Sequence, residues 1–157
     1  MAQLHTSLYR LKNQSGITLT EITITLLLVA IFAGIAYPNY QEAILKARRA
    51  EAKSALYSVL LHQERYYLQQ GTYAEFNAAT ANSPFKWWSA DAPATSHYEI
   101  SAAACAEKNL DECILLTATP GTENVLAGND PVCGNLMLDS TNNKSTSMGT
   151  DPDSVCW

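Results

Sequence analysis

An apolar run from Ile17 to Tyr37, twenty-one residues carrying the single charge of Glu21, limits this chain more than any other stretch. At about 1.5 Å per helical residue the run reaches roughly 30 Å, the thickness of a bilayer's hydrocarbon core. Arg10 and Lys12 precede it with no acidic residue, which keeps the basic side in the cytoplasm and points the bulk of the chain outward. A cleaved secretory signal has a shorter apolar region and a small-residue cleavage site after it. This run is longer and ends at Tyr37-Pro38. A plain single-pass anchor fits the length and the flanks but leaves Glu21 unexplained. A carboxylate in the apolar core costs roughly 2.5 to 3.5 kcal/mol on insertion scales, so it calls for a partner.

Gly16 followed by Ile17-Thr18-Leu19-Thr20-Glu21, with the acid fifth after the glycine, then the apolar run and Gly34-Ile35-Ala36-Tyr37-Pro38-Asn39-Tyr40, resembles the N-terminal signature of type IV pilins. The resemblance implies that a prepilin peptidase cuts between Gly16 and Ile17 and methylates the new amine of Ile17. The apolar run then stays on, first as membrane anchor and later as the helical core of a fibre. There Glu21 faces the N-terminal amine of a neighbouring subunit, the partner its burial requires. Ile17 departs from the family, which most often has Phe at that position.

A leader of residues 1–16 and a helix to about Leu68 leave only about 90 residues for a folded head, and a head that small gains from covalent staples. Cys105, Cys113, Cys133 and Cys156 all lie in the exported part. An even number of cysteines there reads as disulfides in an oxidising compartment, with three possible connectivities. Pairing Cys105 with Cys113 and Cys133 with Cys156 staples two local loops, and the closing Cys156-Trp157 resembles pilins with a disulfide-bounded C-terminal loop. No Cys-x-x-Cys spacing occurs and His62 and His97 stand apart, so no metal or cofactor is expected.

The chain carries a net charge of −5, and after Tyr66 only Lys86, Lys108 and Lys144 oppose eleven acids. Sequence-independent DNA affinity comes from neutralising phosphates, so this balance argues against bulk DNA binding by the head. A local basic stripe formed in the fold would reverse that.

Taken in order, Gly34 and Pro38 mark where the helix should bend or loosen, since Pro38 has no N–H to donate. Beyond Pro38 the helix becomes amphipathic. Ala52, Leu56, Val59, Leu60 and Tyr67 form the stripe for a sheet, with Ala55 and Tyr66 at its margin. Glu42, Lys46, Arg48, Arg49, Glu51, Lys53, Glu64 and Arg65 form a solvated face. Gly71 reads as the C-terminal cap. A loop follows from Thr72 to Ser96, where Phe85, Trp87 and Trp88 cover the edge of the core or contact a partner. Three strands are expected, at 97–103, 113–119 and 132–138. The tail after Asp139 is polar; it contains the glycosylation triplet Asn143-Lys144-Ser145 and the calcium candidates Asp139, Asp151 and Asp153, all weak signals.

The expected fold is α+β: a long N-terminal helix, half apolar and half amphipathic, packed on a small antiparallel sheet, the pilin fold. The expected organisation is a leader at 1–16, a membrane or fibre-core helix at 17–38, and a head at 39–157 that includes the amphipathic half-helix to about 69. The segments at 115–120 and 133–139, with the terminal Cys156-Trp157, resemble the C-terminal half of type IVa minor pilins. The resemblance implies a fibre subunit and not an enzyme, most like a minor pilin that primes assembly or sits at the tip. Its implied partners are other pilin subunits, the prepilin peptidase, the inner-membrane assembly platform and, before assembly, the membrane itself. It implies a single pass in the bacterial inner membrane with the N-terminus cytoplasmic, then an extracellular pilus. The alternatives are a major pilin, a receptor pilin for DNA or adhesion, and a pseudopilin of a type II secretion system.

Overall fold

A computed structural model describes residues 16–149 and 155–157, with the backbone alone at 38 and 39. One long helix, α1, spans Leu19–Gln70. Thr18 opens it: its hydroxyl accepts the Glu21 N–H at 3.3 Å, satisfying a donor that has no partner inside the helix. The described residues divide into two compact units between residues 41 and 42. In the first, α1 is helical without a break through Gly34 and Pro38, so the loosening expected there does not interrupt the helix. Its Leu, Ile, Val and Phe side chains are exposed. Among the described residues, α1 is the one helix long and apolar enough to cross a membrane.

The second unit holds residues 42–70 of α1 and four strands, β1 at Tyr98–Ala104, β2 at Ile114–Pro120, β3 at Leu136–Asp139 and β4 at Lys144–Thr146. They form one antiparallel meander in chain order. Alternation along β1 and β2 buries Tyr98, Ile100 and Ala102 beside Ile114, Leu116 and Ala118, with Leu136 and Leu138 continuing the layer on β3. The register sets Ile100 opposite Ala118 and Leu116 opposite Leu138. Ala52, Leu56 and Val59 of α1 close the core from the other side. This is the helix-on-meander arrangement expected from the pattern.

The helix ends where Gly71 turns to φ +75° and donates its N–H to the Tyr67 carbonyl at 2.8 Å. The loop that follows covers the free edge of β1 through two isolated bridges, Phe76 with Ala102 and Trp88 with Glu99. Phe85 is buried and stacked on Phe76 at 5.3 Å, and Trp87 packs on the core's rim. Gln63, fully buried, clamps the start of this loop with two bonds to the Ala74 backbone.

Three expectations need correction. The third strand begins at Leu136, and Val132 lies outside it, 42% exposed. The chain there is bound into a turn, with the Gly134 N–H on the Asp130 carbonyl at 2.8 Å and φ +61° at Gly134. A fourth strand, Lys144–Thr146, occupies part of what read as a polar turn and tail; it is held by its pairing to β3 and carries no apolar alternation. Arg49, assigned to the solvated face, is 3% exposed. It sits three residues before Ala52 and seven before Leu56, so the helical period puts it on the same face as the core stripe.

Candidate functional site

Of the residues expected to guide processing and assembly, Gly16 and Ile17 are described, and Ile17 is exposed. The rest of the leader and the Pro38 side chain lie outside the described residues. Glu21 is exposed in the first turn of α1, three residues after Thr18. A carboxylate there complements the partial positive charge of the helix N-terminus, a local role the sequence reading did not assign.

Both cystine bridges are formed, Cys105 to Cys113 and Cys133 to Cys156. Among the described residues no three His, Cys, Asp or Glu side chains gather as a metal site. Asp139 is tied into the turn between β3 and β4, accepting bonds from the Thr141 and Asn143 backbones, while Asp151 and Asp153 lie outside the described residues. The Asn143 amide donates to Asp139 at 3.0 Å and to Thr141 at 2.8 Å, so the nitrogen a glycan would need is already engaged in that turn. His62 lies beside Arg65 in a cleft against Pro84 and Phe85. His97 packs near Arg48 with its Nδ1 buried; burial and then Arg48 push its pKa down, while Glu51 pulls the other way.

The head is pinned by a buried ion pair. Arg49 Nε donates to Asp130 Oδ2 at 2.5 Å and Nη2 to Oδ1 at 2.6 Å, a bidentate fork. Asp130 also accepts the Tyr98 hydroxyl at 3.0 Å and the backbone N–H groups of Val132 and Cys133. Burial pushes the Asp130 carboxyl up, but the bonds from Arg49, Cys133 and Tyr98 outweigh it and hold the group below the usual carboxylate range. Arg49 is raised by the same bond, and Tyr98 is raised by burial and by the adjacent carboxylate. Five donors thus fix the connection between β2 and β3 at the point where the Cys133–Cys156 loop begins. The strand exit nearby also needs glycine: Gly121 holds φ +62°, and a Cβ there would fall 1.7 Å from the Gly128 carbonyl oxygen.

Charged residues differ between the two edges of the sheet. Beside the β1 edge a polar groove of about 580 Å³ is lined by Glu75 and Glu99 with Asn77, Thr80 and Ser101. At the β4 edge the strand's one charged residue is Lys144. Lys144 Nζ stands 5.8 Å over the Trp157 ring, and the Trp157 indole N–H donates to the Ser145 carbonyl at 3.1 Å. Lys53 of α1 is held below its ordinary pKa by burial and then by the charges of Arg49 and Lys144. The Tyr57 hydroxyl, one turn along, meets Asn142 at 3.4 Å. A second basic and aromatic pair, Lys86 over Trp88 at 5.8 Å, lies on the loop. Sequence reading placed Lys53 and Lys144 in separate segments and had no signal that the fold would join them.

Two family profiles match the chain. That described as type IV minor pilin ComP, DNA uptake sequence receptor, covers residues 38–137; the prokaryotic N-terminal methylation motif covers residues 11–37. A solved structure, the non-core minor pilin PilV of Neisseria meningitidis, is similar at 20% identity and a TM-score of 0.46, over 73% of this chain and 95% of that one. No curated protein sequence gives a significant match.

Proposed function

The chain belongs to the family of type IV minor pilins described as DNA uptake sequence receptors, and on that premise we propose that it is the fibre subunit that takes hold of DNA. The observation that carries this reading is where the family match falls. It spans residues 38–137, the helical face, the loop, β1, β2 and the start of β3, and so reaches far beyond the N-terminal motif at 11–37. The acidic composition is an average over the head, whereas DNA meets a local field. Glu75 and Glu99 line the groove at the β1 edge while Lys144 lies on β4 at the other edge of the sheet, so a phosphate reaching Lys144 meets it away from those acids.

Delivery to the fibre follows the pilin route in this reading. The peptidase cuts after Gly16 and methylates Ile17, and the subunit waits as a single pass in the inner membrane with its N-terminus cytoplasmic. The assembly platform then moves it into an extracellular pilus among other pilin subunits. Glu21 pairs with a neighbour's amine there, and Pro38 accommodates the helix. The intact mass of the membrane-extracted protein is expected to start at methylated Ile17; a chain that keeps residues 1–16 would remove this part of the reading.

The receptor role is tested on the detergent-solubilised full chain, mixed with fragmented genomic DNA of its own organism and, separately, with synthetic DNA of equal base composition. Sequencing the bound fraction is expected to show a short recurrent element enriched from the genomic pool. Recovery in proportion to input from both pools would leave a structural minor pilin without receptor function.

A further inference from the structure

Like charges brought together on an otherwise acidic head need a physical reason. The contact of Tyr57 with Asn142 brings α1 against the β3–β4 turn, with Lys53 four residues before the one and Lys144 two residues after the other; the charge of Lys144 opposes that of Lys53, and both residues are half-buried. Acids on the adjoining elements are engaged elsewhere: Arg49 takes both carboxylate oxygens of Asp130, and Asp139, next to the Leu138 that pairs with Lys144, accepts the bonds of the β3–β4 turn. Among the described residues neither lysine lies within ion-pair distance of a carboxylate. Yet the geometry is built to hold them. β4 is registered on β3 with Lys144 opposite Leu138, which directs the lysine to the helix side of the sheet. The Trp157 ring lies under its ammonium and is fixed by the Ser145 carbonyl. Tyr57, four residues after Lys53 and so on the same face of α1, reaches Asn142 in the adjoining turn.

We propose that Lys53 and Lys144, with Tyr57 and Asn142 beside them and Trp157 as the positioning residue under Lys144, form a backbone-phosphate anchor for duplex DNA. The inference rests on the receptor reading above and deepens it by assigning the contact. Ammonium groups are compact point charges without the planar fork that reads guanine, so this anchor holds DNA of any sequence, and the base-reading contacts lie elsewhere on the head. Tyr57 gives its hydroxyl proton to Asn142 Oδ1, which turns the Asn142 amide into the neutral donor of the kind that commonly meets phosphate and sugar oxygens.

The test is fluorescence anisotropy of the detergent-solubilised full chain with two labelled duplexes, one of mixed sequence and one recovered from the genomic selection, across a salt series. Each lost phosphate contact lowers the slope of log affinity against log salt by about 0.9, so Lys53→Gln with Lys144→Gln is expected to reduce it by about 1.8, with a loss of about 30-fold at 0.15 M salt. Both duplexes should lose equally. Lys53→Arg with Lys144→Arg should keep the slope, which separates charge from folding. Lys46→Gln should change nothing, because Lys46 is already paired to Glu42 at 2.7 Å. Trp157→Leu should weaken binding and Trp157→Phe should restore it. An unchanged slope in the double glutamine variant overturns the anchor while leaving the receptor reading intact, and so does a loss confined to the selected duplex. Wild-type protein that binds phosphatidylglycerol vesicles but neither duplex overturns both.

Discussion

Replacing Asp130 with alanine is expected to cost the head about 3 to 5 kcal/mol, because it leaves the Arg49 guanidinium buried without its partner. For a domain near 100 residues that loss corresponds to a fall of roughly 12 °C or more in the thermal midpoint. All three tryptophans, Trp87, Trp88 and Trp157, lie in the head, so tryptophan fluorescence of the full chain in detergent reads this transition. The loss exceeds that of an exposed ion pair because Asp130 also holds the Tyr98 hydroxyl and two backbone N–H groups, all of which lose their acceptor. Removing both charges, as Arg49→Met with Asp130→Leu, should recover part of the loss, since desolvation of the pair disappears together with its attraction.

The pH dependence has a defined sign. Asp130 is lowered in the folded state, so its contribution is present above the unfolded carboxylate value of about 3.9 and is lost as pH falls through the folded value. Arg49 is raised from a value already above the working range and adds no slope there. The advantage of wild type over Asp130→Ala should therefore be full at neutral pH and shrink below about pH 4. A midpoint for the alanine variant within about 2 °C of wild type at pH 7 would mean that the pair is energetically idle.

The parts of the head that were legible in the sequence are those whose side chains face a single environment. β1 and β2 alternate because one face meets α1 and the other does not, and their expected bounds fall within one residue of those observed. Gly71 was readable because a helix must end in a conformation glycine adopts without strain. β4 was invisible: Lys144, Ser145 and Thr146 carry no apolar signal, and their strand exists only because Met137 and its neighbours on β3 offer pairing. Arg49 was misread because residue type outweighed position. Its spacing from Ala52 and Leu56 already put it on the buried face, and a buried arginine requires an acid somewhere in the chain. Asp130 sits in Gly128-Asn129-Asp130-Pro131, a composition that by itself reads as a turn. The approach of Lys53 to Lys144 depends wholly on how β4 docks beside α1, so no local pattern announces it.

The bond between Cys133 and Cys156 carries the second large effect, because it closes the longer loop and holds the residue under Lys144. The sequence separations are 23 for this bridge and 8 for Cys105–Cys113. On the chain-entropy account these are worth about 3.4 and about 2.5 kcal/mol. Cys133 and Cys156 are both fully buried, whereas at the other bridge Cys113 is buried and Cys105 partly exposed, so paired alanine replacement of Cys133 and Cys156 adds the larger packing loss. Cys133→Ala with Cys156→Ala is therefore expected to lower the thermal midpoint further than Cys105→Ala with Cys113→Ala. The two pairs should also differ in a way that stability alone does not predict. Trp157 follows Cys156 directly, and its ring supports Lys144; freeing the tail should weaken duplex binding at temperatures where the head is still folded, while the Cys105–Cys113 pair should leave binding unchanged under the same conditions. If the Cys133–Cys156 variant binds DNA with wild-type affinity below its midpoint, then the bond of Trp157 to Ser145 and its packing on the core are enough to hold the tail, and the cystine stabilises the head without organising the anchor.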